Sequence, residues 1–161
     1  MKQEKVEFSF DIYQGIDELN EPDRILLNEA RNITKKAYAP YSNFFVGAAA
    51  RLSNNEVVTG TNQENASYPV GICAERVLLA SASSLFPGVA VDTIAVSYQN
   101  KKAKSNHPIS PCGMCRQSLL EFEERMQQPI RLILAGIEGK VYVIKTVRQL
   151  LPLAFTSEEL E

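Results

Sequence analysis

The sequence predicts an α/β fold, with a mixed sheet covered by helices on both faces. Three observations carry this expectation. Segments of helical and strand period alternate along the 161 residues, which is the pattern of layered α/β domains. Val91 to Ser97 is a near-continuous apolar run, as a strand buried on both faces requires. The last two strand patterns are separated only by Gly136 to Gly139. That turn is too short for a crossover, so the two strands run antiparallel.

Val6, Phe8, Phe10 and Ile12 alternate with Glu7, Ser9 and Asp11. The period of two predicts a short half-buried strand, or an arm packed on a neighbouring subunit. Asn20 can cap a helix with Pro22 in its first turn. Ile25, Leu26, Ala30, Ile33 and Ala37 continue that helix at helical spacing, and it ends before Pro40. Phe44 to Leu52 and Val57 to Thr61 read as strands joined by the turn Ser53-Asn54-Asn55-Glu56. The polar stretch Asn62 to Gly71 is a loop. Cys73 to Leu85 is a helix closed by Pro87-Gly88. After the Val91 strand, Gln99 to Pro108 is a polar loop and Pro111 to Gln127 a helix. Ile130 to Ala135 and Val141 to Lys145 are strands, and Thr146 to Leu151 is a short helix.

Composition narrows the function. Apolar residues make up 45% and charged residues 22%, ordinary values for a folded domain. With 17 Lys+Arg against 19 Asp+Glu the formal charge is -2. No basic excess exists to draw a phosphate backbone, so a nucleic-acid partner is not expected. Met1 to Lys5 is polar, without the apolar core of a signal peptide. The apolar runs are far shorter than the ~18 residues of a membrane span. Three cysteines cannot close a disulfide framework. The expected compartment is the cytoplasm, where thiols stay reduced.

All three cysteines sit at helix starts: Cys73 in Cys73-Ala74-Glu75-Arg76, and Cys112 and Cys115 in Pro111-Cys112-Gly113-Met114-Cys115. Two thiols spaced by two residues can hold one metal ion, and a third from another helix start makes three ligands. Three thiolates leave the fourth tetrahedral position of a zinc ion open, the catalytic rather than the structural pattern. Helix N-termini carry partial positive charge, which favours the thiolate. Two other readings stand beside this one. A redox C-x-x-C would leave Cys73 unexplained. A closed structural zinc site would need His107, the only histidine, as fourth ligand. Glu75 lies close enough to Cys73 to take a proton from a water at the metal. Arg76 can donate to a ligand sulfur and offset the net charge of about -1 on zinc with three thiolates.

The pattern Cys-Ala-Glu followed by Pro-Cys-x-x-Cys resembles the zinc deaminase signature in its all-cysteine form. Further stretches are similar to small cytidine deaminases. They are Tyr41-Ser42-Asn43-Phe44, Val46-Gly47-Ala48-Ala49, Thr59 to Tyr68, Ile72 to Arg76, Ile109 to Gln117 and Leu150 to Phe155. The resemblance spans Tyr38 to about Leu160. It implies a three-layer α/β/α sandwich with a mixed five-stranded sheet, formed by residues 21–161, with residues 1–20 as an N-terminal extension. It implies hydrolytic deamination of cytidine and 2'-deoxycytidine to uridine and 2'-deoxyuridine, with release of ammonia, by a homotetramer holding one Zn2+ per subunit. By position it implies that Cys73, Cys112 and Cys115 bind zinc and that Glu75 shuttles protons. It further implies that Asn62 and Glu64 hold the sugar 3'-hydroxyl, that Phe44 packs on the base, and that the backbone at Ala74 and Cys112 meets the base edge. Phe155 would come from another subunit. A modified cytosine nucleoside of the blasticidin type is the alternative substrate, and the intact Asn62-x-Glu64-Asn65 favours ordinary nucleosides. Leu153 departs from the glycine expected there.

Overall fold

The computed structural model describes residues 1–160. Its strands are β1 (Asp11–Tyr13), β2 (Phe44–Leu52), β3 (Val57–Thr61), β4 (Val91–Asn100), β5 (Arg131–Ala135) and β6 (Val141–Ile144). Its helices are α1 (Glu21–Ile33), α2 (Ala74–Leu85) and α3 (Gly113–Met126). The strands form one sheet in the order β1-β6-β5-β4-β2-β3. β4 and β5 pair in parallel across the α3 crossover, and the other neighbours are antiparallel.

The expected sandwich is present. On one face Leu26, Leu27 and Ala30 of α1 pack with Ala49, Ala95, Ile133 and Val143. On the other, Leu78 and Ala82 of α2 and Leu119 and Phe122 of α3 pack with Ala48, Ile94, Val96 and Leu132. Alternate residues of each central strand thus enter opposite cores, as the pleat dictates. Asn20 caps α1 by accepting from the Asp23 N–H at 3.0 Å. Asp23, itself buried, takes a two-pronged bond from Arg131 at 2.7 and 2.6 Å and ties the start of α1 to β5.

Three expectations change in detail. The sheet has six strands, not five, because β1 adds to the β6 edge. The pairing covers Asp11 to Tyr13 rather than Val6 to Ile12. Asp11 already sits opposite Val143, one residue from the end of β6, so the ladder has almost no further partner. The alternation upstream instead reflects side-chain contact: Phe8 stacks on Phe10, and Phe10 lies against Tyr142 at 4.8 Å. The helix expected over Thr146 to Leu151 is a four-residue 3-10 turn, Val147–Leu150, capped by the Thr146 side chain.

Strand directions position the rest. β3 and β4 both run antiparallel to β2, so they point the same way. The helices that follow them therefore begin at the same end of the sheet. β3 lies close under the first turn of α2. A Cβ on Gly60 would stand 2.5 Å from the Ala74 carbonyl oxygen and 2.5 Å from the Leu78 nitrogen. Both are backbone atoms and cannot step aside as a flexible side chain would. Gly60→Ala is expected to cost about 1–3 kcal/mol by overpacking. It should also shift the helix start that carries Cys73 and Glu75. A thermal midpoint and zinc content both unchanged from the parent would contradict this close approach.

Candidate active site

Cys73 and Cys112 are the N-cap residues of α2 and α3, with extended backbones at φ -76, ψ 154 and φ -67, ψ 169. The helices therefore start one residue after Cys73 and one after Cys112, slightly later than the sequence patterns suggest. Neither cap has a side-chain cap hydrogen bond, which leaves both sulfurs free for another task. Cys115 follows in the first turn of α3 and is buried; Cys112 is exposed. The three sulfurs lie within 4.8 Å of one another. Cys73 to Cys112 is 3.8 Å and Cys112 to Cys115 is 3.5 Å. Four ligands at about 2.3 Å around a tetrahedral zinc ion stand about 3.8 Å apart, so two edges of this cluster match that spacing and the third lies within 4.8 Å.

Charge in the cluster is unevenly held. Donation from the Cys115 thiol, aided by Cys112 and the charge of Arg76, pulls Cys73 down to about 6 against burial and Glu75. Cys115 is pushed up in turn, first by its hydrogen bond to Cys73 and then by burial. One thiolate is thus preformed at Cys73. Arg76 acts on Cys73 as a charge rather than as a hydrogen-bond donor.

Glu75 is buried, 5% exposed, in the first turn of α2. Burial raises its pKa, opposed by its own backbone N–H and by the Cys115 thiol. The carboxyl thus lies beside the sulfur cluster. A raised carboxyl pKa suits a group that must both accept and return a proton near neutrality.

The other sequence-predicted residues are each fixed by their own contacts. Asn62 and Glu64 lie where the chain from β3 is pinned on two sides. Tyr38 N–H donates to the Asn62 carbonyl, and Gln63 and Ile72 exchange bonds at 2.9 and 3.0 Å. The Asn62 side chain braces β2: the Val46 N–H donates to its Oδ1 at 2.7 Å, and its Nδ2 donates to the Phe44 carbonyl at 2.9 Å. One Nδ2 hydrogen remains. Glu64 Oε2 accepts from the Tyr41 and Ser42 N–H groups at 2.9 and 3.3 Å, leaving Oε1 open. Burial would raise this carboxyl, but those bonds and the Ser42 side chain outweigh it and hold it below its ordinary value. Phe44 stacks on Tyr98. Ala74 is the first residue of α2, fully buried. Phe155 is 59% exposed, its carbonyl accepting from Gln117 at 2.9 Å. Leu153, two residues before it, is 99% exposed at φ 54, a left-handed backbone that explains why glycine is expected there.

His107 does not join the sulfurs; the cluster consists of the three cysteines. Its ring lies instead against the Tyr98 hydroxyl, with Nδ1 at 3.3 Å. The closed structural site and the redox pair both fail on this geometry, the first for lack of a fourth ligand and the second because Cys73 completes the cluster. Sequence reasoning missed Tyr98 and the bracing role of Asn62. For Tyr98 the available signal was an aromatic residue in step with Ile94 and Val96, on the face of β4 that the pleat turns inward.

Fold and cluster together define an α/β metalloprotein with three protein ligands and a buried acid beside them, the arrangement of a catalytic metal centre. The sequence model for the cytidine and deoxycytidylate deaminase zinc-binding region matches residues 20–128, and the chain belongs to that family. A cytidine deaminase of Halalkalibacterium halodurans is 37% identical over 137 residues, 85% of this chain and 96% of the relative. One from Mycoplasma genitalium is 45% identical over 100 residues, 62% and 72% of the two chains. The crystal structure of cytidine deaminase from Burkholderia pseudomallei superposes with a TM-score of 0.71 at 38% identity, over 85% of this chain and all of that one.

The buried acid has a measurable signature. A carboxyl whose folded pKa lies above its unfolded value loses stability as pH rises between the two, and the loss is complete above both. Glu75→Gln lacks that penalty. In metal-free protein its thermal midpoint should exceed the parent's at about pH 8 and converge with it at about pH 4, by about 2–4 °C for each kcal/mol relieved. A difference independent of pH would show that burial does not raise the Glu75 carboxyl.

Proposed function

We propose that this chain deaminates cytidine and 2'-deoxycytidine by hydrolysis, releasing ammonia and giving uridine and 2'-deoxyuridine, within pyrimidine salvage in the cytoplasm. The observation that carries this reading is the buried Glu75 carboxyl, in the helix turn that follows Cys73, beside a three-thiol cluster of near-zinc dimensions.

Cys73, Cys112 and Cys115 would hold the zinc ion, which supplies Lewis acidity to ready a water for attack. Glu75 takes a proton from that water at a carboxylate oxygen. The water oxygen bonds to C4 of the ring while Glu75 passes its proton to N3. Glu75 then carries the water's second proton to the amino group, the C4–N bond breaks, and ammonia leaves. The Cys115 thiol, with Cys112 and the charge of Arg76 in support, favours the thiolate form of Cys73.

The remaining residues bind and orient. The first N–H groups of α2 and α3 have no partner within their helices, so the backbone at Ala74 and Cys112 is available to the base edge. Phe44 packs on the base. Glu64 Oε1 and the spare Nδ2 hydrogen of Asn62 form an acceptor and donor pair for the sugar 3'-hydroxyl. Without that hydroxyl both groups lose a partner, which penalises free cytosine. Purified protein should release ammonia from both nucleosides far faster than from cytosine, and a chelator should stop it. Glu75→Gln should keep its zinc and lose about 10²–10⁴-fold in kcat. Turnover of Glu75→Gln near the parent's would end the proton-shuttle role, and equal rates on cytosine and cytidine would end the sugar contact.

Assembly as a homotetramer that shares its sites is supported by large apolar residues left in solvent: Tyr68, Val70, Met114, Leu153 and Phe155 are 92%, 63%, 63%, 99% and 59% exposed. Phe155 would then reach a neighbour's base site. Light scattering should read four times the 17.9 kDa chain mass; a single-chain mass for active protein would refute the sharing.

A further inference from the structure

β4 turns Ile94 and Val96 to the core shared with α2 and α3, and Tyr98, two residues further along the same face, is buried as well. At the third position a phenylalanine would fill the same space without burying a hydroxyl, which costs free energy unless it is hydrogen-bonded. The hydroxyl has its partner in the His107 ring, whose two nitrogens stand 3.3 and 3.4 Å away, the ring edge-on to Tyr98 at 69° with centroids 5.8 Å apart. His107 is exposed, yet its position is set. The Asn100 N–H donates to Ser105 Oγ at 2.8 Å. The backbone of Ser105 and Asn106 lies so close to Gly136 and Gly139 that no Cβ fits between them. On its other side, the Tyr98 ring lies face to face with Phe44, centroids 4.8 Å apart and planes within 13°. The backbone of Phe44 is held separately, by Asn62 and by the Lys101 N–H that bonds the Asn43 carbonyl at 3.1 Å.

We infer that Tyr98 and His107 are positioning residues that set the plane of the Phe44 ring and thereby the wall against which the pyrimidine lies. The inference rests on the proposed packing of Phe44 on the base. Tyr98 is 1% exposed and cannot itself meet substrate, so it acts through Phe44. His107 stands five residues before Cys112, so the segment that leads to a proposed metal ligand also carries the partner of Tyr98. The coupling is purely geometric: a hydrogen bond fixes one ring and a stacking contact passes that orientation to the next.

The test uses the zinc-loaded protein. Tyr98→Phe and His107→Ala should each raise the KM for cytidine about fivefold, the worth of one net hydrogen bond. Their kcat should stay within about twofold, the pattern of lost uniform binding. Zinc content should remain at one per chain. In a Phe44→Ala background, His107→Ala should add nothing. Unchanged KM in both variants overturns the inference. So does a KM rise that persists without the Phe44 ring, or one that follows loss of zinc. A readout independent of turnover is the NMR signal of isotope-labelled Phe44, which sits in the ring current of Tyr98. It should move on His107→Ala, and a stationary signal overturns the inference even if the protein proves inactive on cytidine. An inactive parent with a moving Phe44 signal refutes the substrate assignment and leaves the ring coupling established.

Discussion

Everything at the site depends on two helices starting at the same end of one sheet. Three sulfurs within bonding range of a single ion cannot come from one helix start here, because Cys112 and Cys115 supply only two. The third must arrive from a separate element. The antiparallel pairing of β2 with both β3 and β4 meets this need. It makes β3 and β4 co-directional, so α2 and α3 begin side by side. Gly60 then allows α2 to approach β3 to backbone contact. Without that approach Cys73 would stand away from Cys112.

The same geometry gathers charge that the fold must offset. Three thiolates and a carboxylate carry more negative charge than one divalent ion neutralises. Two helix N-termini, each with partial positive charge, point at the group, and Arg76 stands beside Cys73. Within the cluster the excess is offset in two ways: the hydrogen bond to Cys73 pushes the Cys115 thiol up, and burial raises the Glu75 carboxyl above its ordinary value. Metal binding must then displace protons from sulfur, which makes affinity fall with falling pH.

Most of this arrangement was legible in the sequence because it rests on local signals. Helix starts, hairpin turns and the buried central strand each announce themselves within about ten residues, and all three cysteines fall at helix starts. The N-terminal strand was misplaced because alternation reports which side chains face an apolar surface, and not where β6 runs out of partners. The 3-10 turn at Val147 lacks the length that separates one helix type from another. Asn62 was read as a sugar ligand. That its amide also stitches Phe44 and Val46 into β2 depends on contacts 16 and 18 residues away. From sequence, His107 offers itself only as a metal ligand, since a lone histidine near a cysteine pair carries no local sign of a tyrosine on another strand.

Asn62 and His107 also show how a small site reaches the tolerance that chemistry needs. A reacting ring misplaced by an ångström can cost a hundredfold in rate, and loops are the least rigid parts of a fold. Here the loop before Cys112 is clamped by Ser105, by the turn between β5 and β6, and by the Tyr98 hydroxyl. The loop after β3 is clamped by β2 and by Ile72. Each clamp uses a polar group that a purely apolar core would not contain. The polar atoms buried around this end of the sheet are therefore the means by which two loops acquire the precision of the strands they join.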